Sequence, residues 1–208
     1  MEEALPEFAV PVDAERLESV LATDEQLMLT FCGGSKEAFG DLFLRYKQPL
    51  FGFFRRRVTE PTLAEELSQE TWVAILRASS RYEPHASFRT YLYAVAFNIL
   101  RAHRRKATFR AIFFGGELED HEPATQGTID TGVMMREAMS KLDRHDREIL
   151  MLREFEQLSY TEIAELLGMP LNTVRSRLFR ARTTLRDILA APAPKTAARD
   201  FTELKERA

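Results

Sequence analysis

The sequence predicts an all-α protein of two small helical domains joined by a flexible acidic linker. Glycine and proline are sparse, nine each in 208 residues. Runs that alternate β-branched with polar residues are absent, and apolar residues recur at steps of three and four over long windows. The pattern divides the chain into a body over 24–106, a linker over 107–131 and a second body over 132–190. An acidic extension over 1–23 and a tail over 191–208 flank them.

In the first body Ala38, Leu42, Tyr46, Leu50 and Phe53, with Phe39 and Phe43 beside them, form a stripe wide enough for a buried helix. Pro49 should bend or break it. A second helix is expected over about 63–78, burying Leu67, Val73 or Trp72, and Leu76. After a loop containing Pro84, a third should run from about Ser87 to Lys106, with Phe88, Leu92, Val95, Ile99 and Ala102 inward. From Ala107 the periodicity fades into Gly115-Gly116, the acids Glu117, Glu119, Asp120 and Glu122, then Pro123 and Gly127. The Ile112-Phe113-Phe114 patch is too apolar for pure solvent and should dock on something.

The second body opens with a helix around Met134–Lys141 and another over Asp143–Phe155. Ser159 followed by Glu162 has capping-box spacing, so a helix should start at about Tyr160. Ile163, Ala164 and Leu167 form its buried face. Gly168 supplies the permissive backbone that ends it, and Pro170 suits the start of the next helix. There Val174, Leu178, Ala181, Leu185 and Ile188 fall on one stripe. Asn172, Arg175, Ser176, Phe179, Arg180 and Thr183 lie opposite, with Thr173 and Arg177 at the flanks. Five arginines between 175 and 186 on a tight two-helix unit make a helix-turn-helix that enters DNA, since cations, donors and a small hydroxyl suit phosphates and major-groove base edges.

Composition excludes several classes. The single Cys32 rules out an internal disulfide and a cysteine-rich zinc site, and His85, His103, His121 and His145 lack ligand-like spacing, so neither metal nor cofactor is expected. Cys32 reads as a small hydrophobe rather than a redox sensor. No phosphate loop and no nucleophile with a recognisable base argues for an enzyme. No run approaches the ~18 apolar residues of a membrane helix, and the acidic start is not a signal peptide, which places the chain in the cytoplasm without membrane insertion. A formal net charge of −3 does not oppose DNA binding, because the charges are segregated. Residues 1–28 carry eight acids against Arg16, whereas 101–110 carry five cations and no acid.

Four blocks, Glu37–Tyr46, Ala64–Trp72, Tyr82–Leu92 and the helix-turn-helix, stand in the order of the sigma factors of bacterial RNA polymerase. The chain resembles the compact extracytoplasmic-function branch of the sigma-70 family. That resemblance implies a σ2 domain in the first body and a σ4 domain in the second. Its partners would be core polymerase, through the β′ clamp and β flap, promoter DNA, and in many members an anti-sigma factor. The segment Ala64–Leu76 would meet the β′ clamp helices, with Glu65, Glu66, Gln69 and Glu70 offering charge and hydrogen bonds and Leu67 and Trp72 as anchors. Core packing is the alternative for both anchors. Ser79–Arg105 would recognise and hold open the −10 element. Tyr82 and Tyr91 offer rings for unpaired bases, at roughly 1 to 3 kcal/mol per base, and Arg101, Arg104 and Arg105 offer phosphate contacts. His85 falls in the same loop. Asn98 is either a DNA contact or a packing amide, and Phe88 either platform or core. The helix-turn-helix would read the −35 element. The linker acids would either mimic phosphates inside the polymerase or simply be solvated.

The family commonly has proline where this chain has Asp143, itself a good N-cap, so nothing structural is lost. A stand-alone helix-turn-helix regulator is the rival reading. It leaves the first body unexplained.

Overall fold

The structure, a computed structural model, describes residues 22–114 and 131–190. Both terminal segments and the acids of 117–122 lie outside the described residues. Among the described residues all regular structure is helical.

The first body begins with α1 (Asp24–Cys32), a helix that apolar periodicity alone did not reveal. Its signal is a second capping box. Thr23 Oγ1 accepts from Gln26 N at 3.2 Å, while Gln26 Oε1 accepts from Thr23 N at 2.8 Å. α2 (Lys36–Arg55) starts at the Ser35 cap and runs unbroken through Pro49. Proline removes one helical hydrogen bond, at about 3 kcal/mol. Leu50, Phe53 and Phe54 just beyond it are fully buried, each contributing about 1.5–3 kcal/mol, so packing outweighs the break.

α3 (Pro61–Ala78) has proline at its first position, where the missing N–H is not needed. It buries Ala64, Leu67, Ser68, Thr71, Trp72 and Ile75. Ser68 and Thr71 tolerate burial because their hydroxyls donate to Ala64 O and Leu67 O at 2.6 and 2.8 Å. Small hydroxyl residues therefore occupy part of the inner face; of the expected Val73 or Trp72 it is Trp72 that turns inward, and the expected inward placement of Leu76 is wrong, since Val73 and Leu76 are 39% and 40% exposed. A short 3-10 turn (Ser79–Arg81) leads toward α4 (Phe88–Phe114). α4 buries Phe88, Leu92, Tyr93, Ala96, Phe97 and Leu100, whereas the expected Val95 and Ile99 are only half-buried. It also takes in the first eight residues, 107–114, of the expected linker. Loss of apolar periodicity there marks loss of burial, not of helix, and the first helix-breaking residues are Gly115-Gly116. The backbone of the Ile112-Phe113-Phe114 patch is thus helical; its side chains lie outside the description.

The second body comprises α5 (Thr131–Ser140), α6 (Arg144–Glu154), α7 (Tyr160–Leu167) and α8 (Leu171–Ala190). Asp143 caps α6, accepting from His145 N and Asp146 N at 3.0 and 3.4 Å. The Ser159–Glu162 capping box forms as expected, with Ser159 N donating to Glu162 Oε2 at 2.7 Å and Glu162 N to Ser159 Oγ at 3.2 Å. Gly168 ends α7 in the left-handed region at φ 63°. Val174, Leu178 and Ala181 pin α8 to α6 and α7. Buried apolar residues of both bodies form one continuous cluster.

A Cβ placed on Gly168 would meet nothing within 4 Å, so its cost is purely conformational. Gly168→Ala is therefore expected to destabilise the second body by about 1 kcal/mol, read as a lower urea midpoint with unchanged helical content in the native baseline.

Candidate nucleic-acid and protein interfaces

The outer face of α8 follows from its stripe. With Val174, Leu178 and Ala181 turned inward, Asn172, Arg175, Ser176 and Phe179 point away from the body, and Phe179 is 74% exposed. Among the described residues Arg175 Nη1 donates to Asn172 Oδ1, at 3.3 Å, and Ser176 Oγ to Thr173 O at 3.1 Å. Thr173 and Thr183 are half-buried. Arg177 turns back, its Nη1 donating to Asp146 Oδ1 at 2.8 Å and Asp143 Oδ1 at 3.3 Å. Its expected place among the DNA-facing residues is corrected to that of a strut. Arg180 forks onto the same carboxylate, Nε to Oδ2 at 2.7 Å and Nη2 to Oδ1 at 3.1 Å, while its side chain stays 60% exposed. Hydrogen bonds from Arg180, then from Arg177, hold the Asp146 carboxyl below its ordinary range even though burial opposes ionisation. One buried acid on α6 thus fixes the rotation of α8.

On the first body the residues expected to meet single-stranded DNA divide similarly. Tyr82 and Tyr91 stack edge to face at 5.1 Å, both half-buried, and Tyr82 Oη has no hydrogen-bond partner among the described residues. Burial pushes both phenols up, so they remain neutral donors at physiological pH. Asn98, Arg101 and Arg105 are exposed on one face of α4, with Arg101 6.0 Å above the Phe97 ring. Asn98 is not a packing amide. Arg104 turns inward to Arg57 O at 3.4 Å, and its desolvation disfavours the charge, which corrects it from phosphate contact to internal donor. Phe88 is fully buried and packs on Tyr46 at 5.4 Å: it is core, not platform. His85 is exposed in its loop, with Nε2 2.8 Å from Glu83 Oε2.

A third surface runs along α3. Glu65, Glu66, Gln69 and Glu70 are exposed. Leu67 and Trp72, offered as anchors, are 3% and 6% exposed and belong to the core, Trp72 closing on Phe39 and Phe43 at 5.6 and 5.3 Å. Exposed apolar groups on these two helices include Val73 and Leu76 on α3 and Phe43 and Leu44 on α2.

Sequence reasoning missed the groups that join the two bodies. Arg57, fully buried at the end of α2, donates through Nε to Glu148 Oε1 at 2.8 Å and through Nη1 to Glu156 Oε1 at 3.1 Å. Glu162 of the capping box also accepts from Ser87 Oγ at 3.3 Å and, closely, from Thr90 Oγ1. Burial raises the cost of its charge, but Thr90, Ser159 and Ser87 together keep the carboxyl below its ordinary range. The arginine run 55–57 and the acids were visible as charges. Their pairing spans some ninety to a hundred residues and left no local pattern.

Residues 42–110 match the family profile of sigma-70 region 2, and residues 133–185 match sigma-70 region 4. RNA polymerase sigma factor YlaC of Bacillus subtilis is 32% identical over 162 residues, which cover 73% of this chain and 91% of YlaC. RNA polymerase sigma-H factor of Pseudomonas aeruginosa is 32% identical over 176 residues, covering 78% and 91%. The solved structure of CnrH, in complex with the cytosolic domain of CnrY, superposes with a TM-score of 0.60 at 25% identity, over 82% of this chain and 99% of CnrH; the CnrH relative is from Cupriavidus metallidurans.

Asp146→Asn keeps the shape but removes the charge that draws in Arg177 and Arg180. The thermal midpoint of the second body should fall by roughly 5 °C at neutral pH. Because the folded carboxyl is depressed, this stabilisation is present above the ordinary carboxylate range and lost as pH falls through the folded value. The difference between the two proteins should therefore shrink in thermal melts at progressively lower pH.

Proposed function

This chain belongs to the sigma-70 family of RNA polymerase sigma factors, in its extracytoplasmic-function branch, and from that membership we propose how its two bodies divide the work. The chain is a sigma factor: it binds core RNA polymerase and directs promoter recognition and transcription initiation. The first body, residues 24–114, takes the β′ clamp and the −10 element. The second, residues 131–190, takes the β flap and the −35 element. The observation that carries this division is the separation of two outward, cation-bearing faces on different bodies: Asn98, Arg101 and Arg105 on α4, and Asn172, Arg175 and Arg180 on α8.

On the −35 side, Arg175 and Arg180 meet phosphates or base edges, with Asn172 and Ser176 near the helix start and Phe179 against an apolar base edge or backbone sugar. On the −10 side, the neutral Tyr82 and Tyr91 rings accept unstacked bases, and Asn98, Arg101 and Arg105 hold the strand. Stacking at about 1–3 kcal/mol per base is comparable to the few kcal/mol needed to unstack each one, so opening needs no bond chemistry from this chain and no cofactor. It acts as an initiation factor rather than an enzyme. Each DNA surface alone is weak and strongly salt-dependent. About four phosphate contacts lose on the order of a hundredfold in affinity between 50 and 200 mM salt. Tethering both to polymerase converts two weak contacts into one selective one, which is why the site of action is the cytoplasm, where polymerase and DNA meet. A sequestering partner fits the same scheme, as the cytosolic domain of CnrY is seen bound to CnrH.

The direct test is transcription by purified core polymerase on fragmented genomic DNA with and without this chain, sequencing the 5′ ends. New start sites sharing two upstream elements support the assignment. Absence of both new starts and polymerase binding would leave a stand-alone regulator instead. Leu76→Asp, on the exposed face of α3, should lower affinity for core polymerase at least tenfold in fluorescence titrations, yet shift folding stability by no more than about 0.5 kcal/mol. Arg175→Ala should instead leave core binding intact and reduce transcription from −35-dependent starts.

A further inference from the structure

Two side chains of α1 grip the segment that carries Tyr82. Cys32 Sγ, at the end of α1, donates to Ser79 O at 3.0 Å, and the same carbonyl accepts from Tyr82 N at 3.1 Å. Glu25 Oε1, in the first turn of α1, accepts from Phe88 N at 2.8 Å, where α4 begins. That N–H is one of those a helix start leaves unpaired, and a carboxylate there also suits the positive end of the helix. One thiol and one carboxylate thus hold the two ends of 79–88.

Spacing makes the two ties act together. Glu25 and Cys32 are seven residues apart, so they share one face of α1 with attachment points about 10 Å apart along its axis. The stretch from Ser79 to Phe88 could extend to roughly 30 Å, so it is held as an arch. α1 is itself fixed: Leu27 and Met28 are buried, and Asp24 accepts from Arg45 Nη1 at 2.7 Å and, closely, from Tyr46 Oη. Burial first, then the neighbouring Glu25, Cys32 and Tyr91, push the Tyr82 phenol up. Its Oη is buried without a hydrogen-bond partner among the described residues. Hydration therefore pulls the ring outward, and the ties oppose that pull. A half-buried carboxylate repels a phosphate strand and a thiol is a weak donor, so neither group suits DNA contact itself.

We infer that Glu25 and Cys32 are positioning residues of the −10 reader: by fixing both ends of the 79–88 arch to one face of α1, they set where Tyr82 stands against Tyr91 and so how sharply unpaired bases are discriminated. The inference rests on the sigma-factor reading and on the assignment of Tyr82 and Tyr91 to the −10 element. It extends that assignment to a helix lying ahead of the residues that match region 2. Loss of either tie lets one end of the arch drift, and the Tyr82 ring follows its hydroxyl toward water.

A binding selection tests this. Core polymerase loaded with the full chain is offered fragments of a promoter mapped with the unmodified chain, in which the −10 and −35 elements are each randomised, and enrichment of the parent element is counted at both. Glu25→Ala with Cys32→Ala should lower −10 enrichment at least tenfold and leave −35 enrichment within twofold. Glu25→Gln with Cys32→Ser keeps an acceptor and a donor in place and should hold −10 enrichment within twofold of the unmodified chain. If the alanine pair fails to bind core polymerase, Cys32→Ala alone decides, with at least a threefold loss at −10 expected from a change at an exposed side chain. Undiminished −10 enrichment in the alanine variants overturns the inference and leaves the sigma reading intact. So does an equal loss at both elements, or a Gln–Ser pair as impaired as the alanine pair, since either marks general weakening of the fold. No enriched element with the unmodified chain removes the sigma reading, and the positioning role with it.

Discussion

A buried guanidinium must find carboxylates, and Arg57 finds them only on the other body. That constraint sets the arrangement of the two bodies. Arg57 ends α2, and its partners Glu148 and Glu156 stand on α6 and just beyond it. Its guanidinium also lies 3.9 Å from the centre of the Phe53 ring, deep in the first body's core. The apolar burial of Phe53, Phe54 and Leu50 would hold α2 in place alone, but it would not specify where the second body docks. Charge supplies that specification at low net gain, because desolvation offsets most of the attraction.

The same economy recurs at smaller scale. Asp146 receives Arg177 and Arg180 and so determines which side of α8 faces outward. Glu162 completes the cap of α7 through Ser159 and also receives Ser87 and Thr90 from the first body. In each case one carboxylate satisfies donors from separate helices, so local folding and long-range placement are coupled. The helix-turn-helix is rigid because cap, left-handed glycine and buried stripe agree.

How much of this was legible in the sequence depended on the range of the interaction. The capping boxes, the left-handed Gly168 and the Val174–Leu178–Ala181 stripe are local, and α7 and α8 formed where their spacing placed them. Pro49 was expected to bend or break α2, and α2 does not break there, because propensity is local while the burial that overrides it is tertiary. Trp72 and Leu67 were offered as anchors, yet Ser68 and Thr71, bonding back to their own helix, rotate the buried face of α3 and leave Val73 and Leu76 outside. Of the arginines, sequence distinguished cations from apolar neighbours but not outward from inward ones. Arg177 and Arg104 both turn in, drawn by a carboxylate and by a backbone carbonyl. Arg57 left no periodic trace, since its partners are about a hundred residues away.

In the proposed division of work, two DNA faces on two bodies let one short chain select a start site without consuming chemical energy: stacking and phosphate contacts would offset the cost of unstacking, and tethering to polymerase would supply the selectivity that neither face has alone. The account stands on those faces acting together on one DNA. A hydroxyl-radical footprint of a promoter bound by core polymerase and this chain measures that most directly. Two protected tracts upstream of the start site, their centres about two and a half helical turns apart, are the expected result, with the distal tract weakened in Arg175→Ala. A single tract, or a two-fold symmetric one that persists without polymerase, would contradict it.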